Sequence, residues 1–445
     1  MFVFKSGFYA DVRIENGFKT VISFVDGKAK EIKEREERRA FVRVFDGKLW
    51  YYGSTTDPDE AQKILDSLYE KATAKEGIER SRLVAKFEVN SDVIMRFMPE
   101  CVKNVPLAEK IALVKSYLPT LDFSPVAVMP SCTYLDRYSI FEFYSSKGAF
   151  VKYDYQNAGL RFGVTLSEAG KRFDARWTTA STRFSDLKGK RKKLRSALDE
   201  QLEFMRNAAE VEAGEYSVIL SPEAAGVFAH ESFGHKSEAD FMLADEGIAK
   251  EWTIGKKIAS PLLSIVDCGK FAGAGYCPYD DEGTRARKNY LIKNGILAGR
   301  LHDCVTANAL KEKLTGNARA VDCTYEPIVR MTTTYIEKGD KTVDELFAGV
   351  AHGYYVKTIK HGSGMSKFTM APHVCYEIEN GKIVRPVKIS VITGDVFKTL
   401  GLIDGLSDKV ELLSFVGGGC GKMEQQGLPV GFGGPYVRVS KMFVQ

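Results

Sequence analysis

The chain has 445 residues, of which 44% are hydrophobic and 27% are charged, and its formal net charge is +5 at pH 7. This length predicts two or three domains with sizeable cores. The weak positive charge gives no reason to expect direct contact with nucleic acid, and no apolar run approaches the roughly 20 residues of a membrane span.

The eight cysteines are scattered and include no C-x-x-C pair. The N-terminus has no basic segment followed by a long apolar stretch, so we identify no signal peptide. Both features favour reduced thiols and a cytoplasmic protein. A reduced thiol is also free to bind a metal.

The N-terminal part of the chain predicts a β-rich region followed by helices. Three segments rich in β-branched and aromatic residues indicate strands: Phe8 to Ile14, Thr20 to Val25 and Ala40 to Phe45. Three dipeptides between and after them are typical of hairpin turns: Asn16-Gly17, Asp26-Gly27 and Asp46-Gly47. Amphipathic helices are expected from Asp57 and from Pro106, and further strand-like segments run from Val126 to Phe162.

The densest basic run is KGKRKKLR, from Lys188 to Arg195. One interpretation is phosphate binding, but leucines at helical spacing continue beyond the run and favour the solvated face of a helix. We expect this helix to end near Gly214 and place a domain boundary there. The predicted fold is α+β, with an α/β N-terminal domain at residues 1–213 and a mixed-β C-terminal domain at residues 214–445.

The stretch from Ser221 to Asp240 carries the strongest functional pattern. The preceding residues, Val218 to Leu220, are typical of a short buried strand. Ser221 is a suitable helix N-cap, Pro222 fits the first helical position, and Glu223 complements the helix dipole. The sequence therefore predicts a helix that starts directly after a strand.

Two histidines and a glutamate follow in the order H-E-x-x-x-H, as His230, Glu231 and His235. The familiar zinc-protease motif has one residue fewer between its histidines. On a straight α-helix, residues five positions apart point about 140° apart, so both imidazoles reach one metal only where the helix is distorted. Gly234 lowers the energetic cost of a distortion, which we expect at Phe233–Gly234. On spacing alone, unrelated polar residues on a helix are an equal alternative.

A catalytic zinc site needs a third protein ligand and one open position. Several residues are candidates for that ligand: Glu238, Asp240, the segments His302-Asp303-Cys304 and His373-Val374-Cys375, and Cys420 in GGGCGK. Glycines beside Cys420 permit close packing of the backbone, although a single cysteine is more often a small buried hydrophobe. Glu231, next to a ligand, is suited to take a proton without binding the metal itself.

Two other patterns give weaker alternatives. The turn Asp280-Asp281-Glu282-Gly283 lacks the spacing of a calcium loop and is interpreted as an exposed acidic turn. A cysteine nucleophile paired with histidine is suggested only by His373 and Cys375, which lie close in sequence. The glycine-rich segments near the C-terminus miss the phosphate-loop and dinucleotide fingerprints.

Several segments of the C-terminal half follow one another in the order found in one known family. They are HESFGH with Glu238-Ala239-Asp240, YDDEGTRARKNYLIKNGILAGRLHD from Tyr279, RMTTTY from Arg330, YEIENGKIVRPVK from Tyr376, and GGGCGK with LPVGFGGP. Together they resemble the TldD/PmbA family of metalloproteases, also called modulators of DNA gyrase. In the N-terminal half, RAFVRVFDGKLWYYGS resembles the family's N-terminal strands. Cys375 is a departure, because the family more often has a small residue such as alanine there, and it suggests a buried thiol.

The resemblance implies that His230, His235 and Cys420 hold a divalent metal, expected to be zinc, and that Glu231 is the catalytic base. It implies that the N-terminal domain serves dimerisation and substrate enclosure, in a homodimer or in a heterodimer with a TldE/PmbA-like paralogue. Family substrates are unfolded peptides bound as an added strand, in processes such as microcin maturation and antitoxin turnover. The predicted function is therefore hydrolysis of unstructured peptides by a metal-activated water.

A second hypothesis is a peptide- or protein-binding regulator, related to gyrase or to toxin–antitoxin systems, in which the metal is structural. Closed coordination by four protein ligands would favour that hypothesis, whereas an open position would favour catalysis. A regulator that contacts DNA directly is not expected, because the chain has no DNA-reading motif.

Overall fold

The computed structural model describes residues 2–445 and has an α+β fold, as predicted. The α-helices in this range are α1 (Ala61–Lys71), α2 (Arg82–Lys86), α3 (Leu107–Tyr117), α4 (Arg191–Asn207), α5 (Pro222–Phe228), α6 (Ala239–Ala244), α7 (Glu246–Glu251), α8 (Cys304–Ala309), α9 (Val343–Ala348) and α10 (Val396–Gly401). Among residues 2–445, no helix combines the length and the apolar character needed to cross a membrane.

The strands divide between the two halves of the chain. Those of the N-terminal half are β1 (Tyr9–Val25), β2 (Lys28–Phe45), β3 (Trp50–Thr55), β4 (Ser91–Ile94), β5 (Ala127–Ser145), β6 (Phe150–Glu168), β7 (Lys171–Ser181) and β8 (Ala209–Glu210). Those of the C-terminal half are β9 (Gly214–Leu220), β10 (Ile265–Cys268), β11 (Lys288–Lys293), β12 (Ile296–Leu297), β13 (Ala318–Arg319), β14 (Ile328–Val329), β15 (Thr333–Ile336), β16 (His352–Gly364), β17 (Lys367–Glu379), β18 (Lys382–Lys388), β19 (Ile392–Asp395), β20 (Ile403–Leu406), β21 (Glu411–Ser414), β22 (Cys420–Lys422), β23 (Gln425–Leu428), β24 (Gly431–Gly434) and β25 (Val437–Val444).

A seven-stranded sheet dominates the N-terminal half. Its order is β3-β2-β1-β5-β6-β4, with β7 also pairing β6, and its neighbours are antiparallel except for β4 and β6. Leu113 of α3 and Leu194 of α4 lie in one buried apolar cluster with Phe162 of β6. The helices therefore pack on a face of this sheet, as their apolar periodicity predicts.

One of the predicted turns is wrong. Asp26-Gly27 does join β1 to β2, with φ values of 50° and 70°, but Asn16-Gly17 lies within β1. Asn16 and Gly17 pair with β2 on one side and with β5 on the other. The two ladders of a central strand override the local turn preference of this dipeptide.

The helix with the basic run also ends earlier than predicted. It stops at Asn207, because Ala208 has an extended backbone with φ −66° and ψ 122°. The following strand, β8, then pairs in parallel with β18 of the C-terminal half. This pairing draws the chain out of the helix before residue 214, and the domain boundary at residues 213/214 stays a prediction.

Two sheets of the C-terminal half enclose the motif helix. In one, the strands β16, β9, β25, β19 and β17 close into a ring of pairings. The other has the order β12-β11-β10-β15-β24-β21. The helix α5 packs against β16 of the first and β24 of the second. A Cβ on Gly226 would collide with the backbone of Gly433, so the close approach of α5 to β24 requires glycine at this position.

The acidic turn Asp280–Gly283 is buried between the halves of the chain, so its interpretation as an exposed turn is wrong. Arg43 of β2 lies 3.0 Å from Glu282, and Arg13 of β1 lies 3.3 Å from Asp281. Burial raises the pKa of Glu282 to about 7, although the positive charge of Arg43 acts to lower it. The local sequence could not show that two strands more than 200 residues away supply these guanidinium groups.

Candidate metal centre

The helix that carries the histidine motif begins as predicted. The hydroxyl of Ser221 accepts a hydrogen bond from the backbone N–H of Ala224 at 3.2 Å. Pro222 occupies the first helical position and Glu223 lies in the first turn. Because β9 ends at Leu220, the helix starts where a buried strand of the ring ends.

The helix departs from α geometry across the two motif histidines, as predicted, but the departure begins at Ala229 and is not confined to Phe233–Gly234. Ala229–Gly234 forms a π-helical segment, and His235–Ser237 forms a 3-10 turn. The backbone N–H of His235 donates to the carbonyl oxygen of His230, which is an i→i+5 hydrogen bond. The wider turn accommodates the extra residue of H-E-x-x-x-H, and the two imidazole centroids lie 5.1 Å apart.

Gly234 matters for its size and not for its backbone freedom. Its φ of −57° is open to any residue. Backbone freedom is therefore the wrong physical reason for expecting glycine at this position. A Cβ on Gly234 would collide with the sulfur of Met331, which is fully buried. A larger residue at this position would force the buried side chain of Met331 to move.

Cys420 joins the two histidines from a distant part of the chain. One nitrogen of His230, one of His235 and the sulfur of Cys420 all lie within 4.8 Å of one another. The Cys420 Sγ is 3.3 Å from Nε2 of His235. His230 and Cys420 are buried, while the side chain of His235 is 13% exposed. The structure thus brings together the three residues that the resemblance assigned as metal ligands.

The backbone around Cys420 is fixed by a buried arginine and by close packing. Arg330 donates from Nη2 to the carbonyl oxygen of Cys420 at 2.7 Å and from Nη1 to that of Gln425 at 3.3 Å. A Cβ on Gly419 would collide with the carbonyl oxygen of Leu428. Sequence reasoning missed the positioning role of Arg330, although the segment RMTTTY marked the residue as part of the family pattern.

A buried ion-pair chain orients the ring of His235. The Glu238 carboxylate lies 3.1 Å from Nδ1 of His235, and the ammonium of Lys422 lies 3.1 Å from the same carboxylate. Lys422 also donates to Asp240 at 2.7 Å. Glu238 and Asp240, two candidates for the third ligand, therefore support the site from outside. An acceptor at Nδ1 fixes the tautomer, so that Nε2 can present a lone pair to a metal.

The electrostatics of this cluster favour the thiolate form of Cys420. Burial raises the pKa of its thiol, but His230 and His235 lower it by more, to about 5. Burial lowers the pKa of His235, yet Glu238 and Cys420 hold it well above its ordinary value. The thiolate is the form of cysteine that binds metals.

The residues of the cluster fit a divalent metal. The Nδ1 atom of His230 is buried and has no hydrogen-bond partner among residues 2–445, and such an atom costs free energy unless it is satisfied. Two imidazoles and one thiolate form a donor set that zinc accepts, and three protein ligands leave the fourth position of a tetrahedral site free. Such a donor set fits a catalytic site, in which one position stays open, better than a closed structural one.

Glu231 lies beside the three candidate ligands at the wall of a large cleft. One of its carboxylate oxygens is 3.9 Å from Nε2 of His235, and its side chain is 27% exposed. The cleft has a volume of about 1270 Å³ and is also lined by His230 and Cys420. A Cβ on Gly362 of β16 would lie 3.1 Å from Cγ of Glu231, so glycine in this strand leaves room for the carboxylate.

The remaining candidates lie outside the cluster. Both ring nitrogens of His302 have partners, Thr306 at 3.1 Å and Glu312 at 2.9 Å. His373 lies within hydrogen-bonding distance of the carbonyl oxygen of Asp174. Cys375 is buried, as expected from the departure at that position, and burial raises the pKa of its thiol. A buried thiol with a raised pKa is a poor nucleophile.

Glu238→Gln is expected to weaken metal binding by about 10–100-fold, because it removes the charge that orients His235 and raises its basicity. Asp240→Asn is the matched control, since Asp240 contacts Lys422 but not His235. Competition titration with a chromophoric chelator measures both affinities. Equal losses of affinity in the two variants would show that Glu238 acts only through the general stability of the site.

Comparisons with known proteins find similarity in both halves of the chain. Residues 213–445 match the family described as the PmbA/TldA metallopeptidase C-terminal domain, and residues 10–75 match PmbA/TldA metallopeptidase domain 1. A metalloprotease of Synechocystis is 30% identical over 440 residues, which cover 98% of this chain and 94% of that protein. A zinc metalloprotease TldD homologue of Saccharolobus solfataricus is 36% identical over 236 residues, or 52% of each chain.

The same fold occurs in a solved structure. TldE from Thermococcus kodakarensis superposes with a TM-score of 0.78 at 15% identity, over 98% of this chain and 96% of that one. At this identity the similarity concerns the fold alone. It extends across both halves of the chain and so includes the seven-stranded sheet that forms part of the cleft wall.

Proposed function

The chain belongs to the PmbA/TldD metallopeptidase family and is a metal-dependent peptidase, and from this premise we propose that it hydrolyses unstructured peptides with Glu231 as the general base. We assign metal binding to His230, His235 and Cys420 and expect zinc, the metal in the name of the Saccharolobus relative. The observation that carries the proposal is the position of the Glu231 carboxylate, 3.9 Å from Nε2 of His235 and open to the cleft.

Each residue of the site has a distinct role in the proposed reaction. When bound, zinc supplies Lewis acidity, which polarises a carbonyl group and lowers the pKa of water towards about 7. The carboxylate of Glu231 takes a proton from the attacking water and delivers it to the nitrogen of the leaving amine. Glu238 keeps the proton of His235 on Nδ1, and Arg330 holds the backbone of Cys420. These two contacts keep the donor atoms in place during turnover.

An extended peptide is the substrate shape that the cleft favours. β16 pairs with β9 only at residues 353–356, so among residues 2–445 its segment 357–364 has a strand partner on one side alone. Several residues of this segment line the cleft, and Gly362 lies next to Glu231. A peptide that adds to this edge would be bound through its backbone, which tolerates many sequences.

The proposal includes assembly as a homodimer or with a TldE-type paralogue, on the strength of family membership and of the structural similarity to TldE. Light scattering of the purified chain, alone and mixed with such a paralogue, distinguishes the two. In either assembly the site residues proposed here come from one chain.

Removal of the metal is expected to abolish hydrolysis of an unstructured peptide, and added zinc is expected to restore it, because the protein residues alone supply no Lewis acid. Elemental analysis of the purified protein gives the metal content, and mass spectrometry of the peptide gives the cleavage rate. Hydrolysis that persists after complete loss of metal would refute the proposal. Stoichiometric metal without any hydrolysis would instead favour a binding protein with a structural metal.

A further inference from the structure

The cleft beside Glu231 has walls from both halves of the chain. The N-terminal half contributes parts of β6, β7 and α4, and the C-terminal half contributes β16 and the segment from Leu412 to Cys420. A peptide bound in this cleft therefore lies between walls that include α4, the helix whose basic run was interpreted as a solvated face. The structure shows that part of this run, Lys192 and Lys193, lines the cleft.

The charges along the cleft are unbalanced. Its cationic side chains outnumber its three anionic ones, Glu200, Glu223 and Glu231, by two to one: they are Arg161, Arg176, Lys192, Lys193, Lys357 and Lys360. Glu200 is already paired with Lys357 at 2.5 Å, and Glu223 accepts a hydrogen bond from the backbone N–H of Ile359 at 3.1 Å. The Glu200–Lys357 pair offsets one charge of each sign, so five cations remain in the cleft against the carboxylates of Glu223 and Glu231.

Five of these six cations form no ion pair with any residue in the range 2–445, and one of the five, Arg176, donates a hydrogen bond to the carbonyl oxygen of Ile359. The other four are Arg161, Lys192, Lys193 and Lys360, and all four are exposed to the solvent of the cleft. By contrast, Lys188 and Arg195 at the two ends of the basic run pair with Glu109 and Asp199 away from the cleft. Of the other cations of the run, Lys192 and Lys193 line the cleft, whereas Lys190 and Arg191 do not.

The positive charge of these cations also lowers the pKa of neighbouring titratable groups. Burial lowers the pKa of His373, and Arg176 and Lys360 lower it further, to about 4. Burial and the neighbouring Lys193 lower the pKa of Lys190. A cleft with walls of low dielectric focuses the field of such charges onto whatever enters it.

The start of α4 breaks a local rule of helix stability. Acidic residues favour the first turn of a helix, where the dipole is positive, yet the first turn of α4 has Arg191, Lys192 and Lys193 and no acidic residue. Its N-cap residue, Lys190, makes no capping hydrogen bond through its side chain. Residues that destabilise the helix in which they lie are typical of a functional surface.

We infer that this cleft selects peptide segments rich in aspartate and glutamate, which place carboxylates against Arg161, Lys192, Lys193 and Lys360 while the backbone lies at the Glu231 site. This inference rests on the proposed peptidase function. Peptide carboxylates suit the site better than nucleic-acid phosphates do, because the same cleft holds the candidate metal ligands and Glu231 of a metallopeptidase. The rest of the chain adds no strong net charge that would attract a polyanion elsewhere.

Three unstructured peptides test the inference, with one common cleavable core flanked by aspartate and glutamate, by asparagine and glutamine, or by lysine. For the metal-loaded protein, kcat/KM is expected to be about tenfold or more higher for the acidic peptide than for the neutral one, and lowest for the basic one. The difference is expected to lie mainly in KM and to shrink at high salt, because salt screens charges on solvent-exposed groups.

The double variant Lys192→Glu/Lys193→Glu is expected to lose the preference for the acidic peptide. Lys188→Glu/Arg191→Glu changes the net charge equally on the same run, but neither residue lines the cleft, so it is expected to keep the preference. Circular dichroism and metal analysis confirm that each variant is folded and loaded. Equal kcat/KM for the three peptides, or loss of the preference in both double variants, would overturn the inference.

A binding assay separates this inference from the proposed function. Fluorescence anisotropy of the labelled peptides with Glu231→Ala measures recognition without cleavage, and the acidic peptide is expected to bind most tightly. If the wild-type protein cleaves no peptide, the proposed function fails whatever the binding order. If it cleaves all three while none binds preferentially, only the inference fails. Displacement of the acidic peptide by a single-stranded oligonucleotide at much lower concentration than by unlabelled peptide would also overturn it.

Discussion

Glu231→Ala is expected to leave the fold and the metal content unchanged while it lowers kcat for peptide hydrolysis by about 10²–10⁴-fold, the usual contribution of a positioned general base. The side chain is 27% exposed and points into the cleft, so its truncation removes little buried contact. The carboxylate of Glu231 is not among the three candidate ligand atoms, from His230, His235 and Cys420, that lie within 4.8 Å of one another. Its loss therefore removes a proton acceptor and not a metal ligand.

Glu231→Gln sharpens this experiment, because it keeps the shape of the side chain and removes only its basicity. Both variants should lose activity to a similar degree if proton transfer is the role of Glu231. Activity that is retained in Glu231→Gln but lost in Glu231→Ala would indicate that the side chain acts through its packing, since Cγ of Glu231 lies close to Gly362. Full activity in both variants, with contaminating proteases excluded by mass spectrometry, would refute the assignment of the base.

The local part of the site could be predicted from the sequence. Ser221 and Pro222 mark the helix start, and the five-residue interval between His230 and His235 requires a wider turn than an α-helix provides. Both conclusions depend only on residues that are neighbours in the chain. The reason for Gly234 could not be found in this way, because the sulfur that it accommodates belongs to Met331, almost 100 residues away.

The third ligand could not be chosen from local pattern alone. Glu238 is only three residues from His235, closer than Cys420 by far, yet it binds the outer nitrogen of the ring. What brings Cys420 to the site is a buried contact from Arg330 and the packing of a glycine against the strand opposite. Such long-range contacts leave no periodicity in the sequence. Here the family resemblance supplied what spacing could not.

The errors at the junction of the two halves have a similar origin. Asn16-Gly17 has the composition of a turn, but it pairs with a neighbouring strand on each side and so stays extended. The acidic turn at Asp280 has the composition of an exposed loop, but Arg13 and Arg43 meet it across the interface. In both places, tertiary partners that local propensity cannot show decide the outcome.

Cys420→Ala is expected to lower metal affinity by more than the roughly 10–100-fold expected for Glu238→Gln, because it removes a ligand and not a supporting contact. The measurement is elemental analysis after dialysis against a weak chelator, followed by competition titration. The fold is expected to persist, since Arg330 contacts the backbone of Cys420, which alanine retains.

Cys375→Ala is the matched control for this prediction. Both thiols are buried, and both variants lose one sulfur atom, but only Cys420 approaches the two histidines. Cys375→Ala should therefore keep full metal stoichiometry. Unchanged stoichiometry in Cys420→Ala would exclude the thiolate as a ligand and leave His230 and His235 to bind with a carboxylate. Glu231, with a carboxylate oxygen 3.9 Å from Nε2 of His235, would then serve as a metal ligand and not as the base.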